Sequence, residues 1–223
     1  QEQNNVIREY FDSNKIKVTW VNKYEWDAIM ALWWVFWQID NYWAIEACIS
    51  ALEQQHAIKV LNEVFEKKLW QKIEVRMWIN TWNAIIWNIW EKWKKMEFTA
   101  LWDNVNLASR LEWVNKFYWT NICVSEAVYD LAKEIFTFRY LDNIKVKWKN
   151  KSINIYELMW YNWKVDNLKL QIISEFERAI SFYSKKEFKK ALEIFENLKI
   201  LWDKPSQVYI DKCIKYIENP PLE

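Results

Sequence analysis

The chain has 223 residues with 31 basic and 30 acidic side chains, a net charge of +1. That length suits one sizeable domain, or a domain with a small appendage, and the charge balance argues against a nucleic-acid protein, which carries a marked basic excess. The longest apolar run, Ala28 to Trp37, falls well short of the roughly 20 residues a membrane span needs, so no span is predicted. The opening residues, Gln1-Glu2-Gln3-Asn4, lack both Met and a charged-then-apolar signal pattern, and read as the interior of a longer chain. Val6, Ile7, Tyr10 and Phe11 fall at helical spacing and predict a helix end over residues 1–17. Val18–Tyr24 and Ala28–Trp33 flank Glu25-Trp26-Asp27 and predict a β-hairpin with an acidic tip. Residues 41–68 carry Ala44, Ala47, Cys48, Ala51 and Leu52, then Ile58, Leu61, Val64 and Phe65, the stripe of a long amphipathic helix. A second hairpin is predicted from Ile73–Ile79 and Asn83–Ile89 around Thr81-Trp82, followed by a strand from Met96 to Leu101. Val105, Leu107, Ala108, Leu111 and Val114 predict a helix over 103–117. A short strand at Ile122–Val124 leads to Ser125, placed to cap a helix over Glu126–Lys133. Ile135–Val146 and Ser152–Leu158 are the last predicted strands.

From about Tyr161 the pattern is helical only. Phe176, Ala179, Ile180 and Tyr183, then Phe188, Ala191, Leu192 and Phe195, form two apolar stripes joined by Ser184-Lys185-Lys186, and a further helix follows Pro205-Ser206 to about Ile217. The pair looks like one tetratricopeptide unit, which alone makes no solenoid. The reading is an α+β sandwich over residues 1–160 and a helical extension over 161–223, a helix pair plus a final helix. Cys48, Cys123 and Cys213 lie far apart without C-x-x-C spacing and fit reduced, buried thiols. The single histidine, His56, reads as an exposed residue of the long helix.

One feature of the composition is abnormal: there is no glycine, and there are 19 tryptophans. An ordinary chain of this length carries about 16 glycines. Tryptophan stands where turns are expected, as in Thr81-Trp82-Asn83, Trp90-Glu91-Lys92-Trp93 and Lys147-Trp148-Lys149. Such sites ask for positive φ or close backbone approach, which glycine supplies and a bulky aromatic does not. A tryptophan-rich core or a carbohydrate-binding aromatic surface fits the placement poorly, because most of these residues follow polar loop residues rather than a helix or strand period. The expectation is that tryptophan has replaced glycine throughout, with one or two original tryptophans, of which Trp33 is the best candidate.

Lys23-Tyr24-Glu25-Trp26-Asp27-Ala28-Ile29-Met30-Ala31 resembles the class III nucleotidyl cyclase motif K-f-x-G-D-a-i-m-a. Residues 98–112, with Trp102-Asp103, Val105-Asn106, Ala108 and Arg110, resemble that family's y-t-x-x-G-D-x-V-N-l-A-s-R-l-e. Val75–Trp82 is similar to v-r-x-G-I-x-t-G, and Val146-Lys147-Trp148-Lys149 with Ile155-Tyr156-Glu157-Leu158 to the closing V-K-G-K…v-y-e-l. Order and spacing agree over residues 18–159, and the long middle motif is the most specific. At Trp26, Trp34, Trp78, Trp82, Trp87, Trp102, Trp113, Trp119 and Trp148 the family has glycine. The tail around Asp203–Ser206, Tyr209, Cys213 and Asn219-Pro220-Pro221 looks like tails that follow some bacterial cyclase domains.

The resemblance implies a ferredoxin-like class III cyclase sandwich that makes 3′,5′-cyclic AMP and pyrophosphate from ATP in signal transduction. Two divalent ions, Mg²⁺ or Mn²⁺, would assist in-line attack of the ribose 3′-oxygen on the α-phosphorus. Asp27 would be one metal ligand, and the family's second aspartate lies on an earlier strand that precedes this chain. Asn106 would orient the ribose, and Arg110 would neutralise the pentacoordinate phosphorus with a guanidinium that is always charged. Lys147 would contact the terminal phosphates. Lys23 stands where adenylyl cyclases carry lysine and guanylyl cyclases glutamate, and a lysine donates to adenine N1. Thr99 would accept from the adenine amino group. In the family the sites are shared across a head-to-tail homodimer, with metal aspartates from one subunit and Asn106, Arg110, Lys23 and Thr99 from the other. The implied setting is a cytoplasmic domain after an upstream sensor or membrane domain, as in cyclases of this kind that follow membrane-anchored sensors.

Read without the motifs, Asp27 is a turn residue, Asn106 and Arg110 a solvent-facing helical pair, and Lys147 one of the alternating Lys145, Lys147, Lys149 and Lys151. Other readings of the whole are a guanylyl cyclase, a catalytically inactive cyclase-fold module that binds nucleotide or dimerises, or a helical scaffold centred on 161–223. The inactive module suits the chain as written, since tryptophans at positions 26, 82 and 102 are expected to block the hairpin tip and nucleotide pocket. A ferredoxin-like RNA binder is disfavoured by the charge balance.

Overall fold

The computed structural model describes residues 20–25, 28–33, 42–81, 86–89, 97–100, 113–145 and 152–220. The first hairpin forms as expected: β1 (Trp20–Glu25) pairs antiparallel with β2 (Ala28–Leu32), Glu25 opposite Ala28. Helix α1 (Tyr42–Leu69) is about 42 Å long at 1.5 Å per residue. Its first half buries Ala44, Ala47, Cys48, Ala51 and Leu52, while Val60 and Val64 in its second half are exposed. Asn62 folds the following segment back on the helix, accepting from Ile73 N at 2.8 Å and donating to Ile73 O at 2.9 Å.

The second predicted hairpin is corrected. β3 (Met77–Ile79) does not pair with β4 (Ile86–Ile89); it runs parallel to β6 (Ile122–Ser125), and β4 pairs antiparallel with β5 (Glu97–Ala100). The physical reason lies in β6, where Ile122, Cys123 and Val124 are all buried. A strand apolar on both faces belongs inside a sheet covered on both sides, and it takes a partner at each edge. Its partners are β3 and β8 (Ser152–Tyr161), and β8 pairs on with β7 (Phe136–Lys145), giving a mixed sheet in the order β3-β6-β8-β7.

Alternation along the strands splits the core into two layers. Ile79, Ile122, Val124, Phe136, Phe138 and Leu158 face α1 and the short helix α3 (Glu126–Ala132). Cys123, Leu141 and Ile155 face the other way. There they meet Val114 and Tyr118 of the helical stretch 113–118, here α2. They also meet three C-terminal helices: α4 (Asn167–Ser184), α5 (Phe188–Ile200) and α6 (Lys204–Glu218). The α+β sandwich is therefore covered on both faces, and residues 167–218 share one continuous core with the sheet. Tyr209 is at its centre, stacked on Phe195 at 5.0 Å and meeting Phe176 and Tyr183 edge-on at 5.7 and 5.1 Å.

Two polar clusters hold the C-terminal helices to β7. The Arg139 guanidinium bonds Glu157 of β8 and Asp203, and lies 4.9 Å over the Phe176 ring. Burial works to lower the Arg139 pKa, but the two carboxylates outweigh it and the group stays charged. Burial pushes the Glu157 carboxyl up, and Arg139 draws it part of the way back. Asp203 also caps α6 through Ser206 N at 3.2 Å, just as Asp166 caps α4 through Lys169 N at 2.8 Å. In the second cluster, β7 carries an extra residue between Tyr140 and Asp142, so Leu141 has no ladder partner. Its carbonyl accepts from the Tyr209 hydroxyl. Ser125 is the N-cap of α3 as expected, yet its side chain makes no cap bond and its buried Oγ has no partner.

Helix ends bear on the tryptophans. Among the described residues four take positive φ: Trp70 at 55°, Trp119 at 55°, Lys186 at 61° and Trp202 at 64°. After α5, Trp202 N bonds Lys199 O and Asp203 N bonds Leu198 O, the paired bonds of a Schellman motif with Trp202 at its left-handed position. After α2, Thr120 N bonds Asn115 O around Trp119 in the same way. These are the positions glycine fills at helix ends, and the indoles point outward: Trp70, Trp119 and Trp202 are 91%, 58% and 90% exposed. Inside, Trp78 occupies a position where the motif has glycine, and its buried Nε1 has no hydrogen-bond partner; nor has Trp33 Nε1. The three cysteines are buried and unpaired. Burial pushes the Cys48 thiol up to about 12 and that of Cys213 to about 11, so both stay protonated at neutral pH.

Candidate active site

Of the six expected site residues, two lie on described backbone. Lys23 is in β1 opposite Met30, directly after an irregularity in which Asn22 has no partner on β2. A bulge bends its strand and re-aims the next side chain, and bulges gather near active sites. Thr99 is in β5 opposite Trp87. β1 and β5 touch although they share no ladder hydrogen bonds, so the two strands expected to read the base are neighbours. The side chains of Lys23 and Thr99, and Asp27, Asn106, Arg110 and Lys147 entirely, lie outside the described residues. So do the helix end expected over 1–17 and the first part of the helix expected over 103–117.

The end of that helix is described, and it is held firmly. Asn115 is buried, donates to Met77 O at 2.8 Å and accepts from Thr120 Oγ1 at 2.9 Å. Tyr118 is buried and donates to Asp142 Oδ2 at 2.5 Å. Lys212 Nζ of α6 reaches the same carboxylate oxygen at 2.7 Å and the Tyr118 hydroxyl at 3.3 Å. Burial, then the Asp142 carboxylate, pushes the Tyr118 phenol far above its usual range, so it remains a donor. Sequence reasoning missed both this cluster and the one around Arg139. A signal was available: Arg139 interrupts the apolar strand Phe136–Leu141, and a charge on such a strand needs a buried partner.

Among the described residues no group of His, Cys, Asp or Glu side chains is clustered to hold a metal. No described helix is long and apolar enough to cross a membrane. A groove of about 190 Å³ runs between α4 and α5, lined by residues such as Ile172, Glu175, Arg178 and Leu201, on elements remote in sequence from the expected site residues.

No protein-family model matches the chain. It is 29% identical over 210 residues to the terminal-differentiation-specific adenylate cyclase of Dictyostelium discoideum, a match covering 91% of this chain and 10% of that protein. It is also 29% identical over 158 residues to adenylate cyclase 1 of Rhizobium meliloti (strain 1021), covering 69% of this chain and 24% of that one. The adenylate cyclase of Anabaena cylindrica is 30% identical over 145 residues, covering 62% and 28%. The chain thus spans between 10% and 28% of the length of these relatives. Among solved structures, the adenylyl cyclase CyaB from P. aeruginosa superposes with a TM-score of 0.59 at 23% identity, covering 73% of this chain and 85% of that chain. The guanylyl cyclase Cya2 gives 0.55 at 18% identity, covering 73% and 82%.

Proposed function

From the class III cyclase catalytic-domain fold that this chain carries, we propose that it converts ATP to 3′,5′-cyclic AMP and pyrophosphate as part of a larger signalling protein. The reading rests on the cyclase fold and on adenylate cyclase relatives, and the neighbouring β1 and β5 are the observation that favours a base site there. Neighbours named for adenylyl and for guanylyl cyclases both superpose, so the fold leaves the base open and the choice of ATP rests on Lys23 and Thr99.

In this reading Lys23 donates to adenine N1 and Thr99 accepts from the amino group, fixing the base between β1 and β5. Asn106 orients the ribose so that its 3′-oxygen lies in line with the α-phosphorus, and positioning of this kind is worth orders of magnitude in rate. Arg110 neutralises charge as it builds on the phosphorus oxygens. Lys147 holds the terminal phosphates. Asp27 is the residue of this chain suited to a divalent ion, as a hard carboxylate in the hairpin connection; bound there, the ion supplies charge stabilisation and a more acidic 3′-hydroxyl. A head-to-tail homodimer completes each site in this reading.

The test is product identification from ATP and from GTP with Mn²⁺, on a longer chain of the length its relatives have. Cyclic AMP from ATP is the expected product. The pair Lys23→Glu and Thr99→Cys is expected to move the preference toward GTP. Turnover with an unmoved preference would count against the base assignment, and no cyclic nucleotide from either substrate would favour the inactive module.

A further inference from the structure

Resting on that cyclase reading, we propose that the C-terminal helices position α2, with Lys212 as the positioning residue and Asp142 and Tyr118 as its partners. The sequence places Asn106 and Arg110 on the same helix, upstream of the described residues 113–118. Arg110, Val114 and Tyr118 are spaced four apart, the interval that defines one row of the helix the sequence predicts there. The row ends in a built contact. Tyr118 is buried and donates to Asp142, and Lys212 Nζ bonds the same oxygen at 2.7 Å.

Asp142 is held in place by an independent feature. It directly follows the extra residue of β7, where the unpaired Leu141 carbonyl accepts from Tyr209 of the same helix as Lys212. Helix α6 therefore grips the irregular point of β7 twice, three residues apart. It also lays Tyr209 and Lys212 against Tyr118, with Lys212 Nζ 4.5 Å above the Tyr209 ring and 5.6 Å from that of Tyr118. Val114, one turn back along the row, is buried in the core shared with Phe176, Tyr209 and Cys213. Removing the α6 contribution leaves the last turn of α2 with an acid but no cation. A shift of about 1 Å in a group that must meet a transition state can cost about a hundredfold in rate. The Dictyostelium match covers 91% of the chain and so runs well into these helices, as expected where they serve the cyclase unit.

The test compares Lys212→Met, which keeps the length and loses the charge, with Lys212→Arg, which keeps it. Two readouts are taken: hydrogen exchange along the chain, and steady-state kinetics on ATP in the longer chain. In Lys212→Met, amides of residues 115–118 are expected to exchange about tenfold faster while those of α1 and α3 hold. The same variant is expected to lower kcat about tenfold with KM for ATP within twofold. Lys212→Arg is expected to restore both. Unchanged exchange in α2, equal acceleration in α1, α2 and α3, or faster α2 exchange with normal kcat would each overturn the proposal. A wild-type chain that makes no cyclic nucleotide defeats the cyclase reading instead, and the exchange data then still decide whether Lys212 holds α2.

Discussion

Replacing Arg139 with leucine is expected to cost about 3–5 kcal/mol of folding stability, the usual loss when one member of a buried ion pair is removed. The guanidinium serves Glu157 and Asp203 at once, and all three side chains are withdrawn from water. Without it, two acids face each other with no cation between them. A urea titration checks this as a lower midpoint with an unchanged slope. The double variant Arg139→Leu with Glu157→Leu is expected to recover only part of the loss, because Asp203 stays buried with Ser206 as its partner but no cation. The loss should also depend on pH. Burial already raises the Glu157 carboxyl, and removing Arg139 leaves burial and Asp203 to raise it further. An acid with a raised folded pKa favours folding below its unfolded pKa, near 4.3, and that help is lost as pH rises through the folded value. The variant should therefore lie closest to wild type below that pH and fall further behind as pH rises above it. A defect that is the same at every pH would contradict this account of the site.

Changing Trp70, Trp119 and Trp202 together to glycine is expected to raise stability by about 3 kcal/mol. A left-handed conformation costs a residue with a Cβ roughly 1–2 kcal/mol, and glycine returns part of that gain through its freer unfolded chain. The net is about 1 kcal/mol per site, and since the three indoles are largely exposed, little buried area is lost. For a chain of this size each kcal/mol moves Tm by about 2–4 °C, so calorimetry should find a rise of about 6–12 °C. Lys186→Gly, at the fourth left-handed position, is expected to act in the same direction by a similar step. No rise in Tm would mean that the indoles make compensating contacts at these turns.

How far the chain could be read in advance depends on how local the governing physics is. The first hairpin, the long helix and the C-terminal helices follow from periodicity and caps, which act over a few residues, and the structure has them at Trp20–Leu32, Tyr42–Leu69 and Asn167–Glu218. The pairing of β3 was misread because its partner, β6, lies some forty residues on and was selected by burial on both faces rather than by a turn. Tyr209 reads in sequence as one more aromatic of a helical stripe; its role depends on an unpaired carbonyl in β7 that no local pattern announces. Arg139 could have been flagged as a charge in an apolar strand, but its second partner, Asp203, reads only as a helix cap. For the candidate site, sequence motifs supplied the residues, and the fold adds that the strands bearing Lys23 and Thr99 are neighbours.

The left-handed tryptophans have a consequence for mass as well as for shape. Trp70, Trp119 and Trp202 lie at the ends of three different helices, and the chain holds no glycine anywhere. Peptide masses from the protein made in its own cell are expected to give glycine at 70, 119 and 202, and tryptophan at Trp33. The three turns would then be ordinary helix stops, with no Cβ at their left-handed positions.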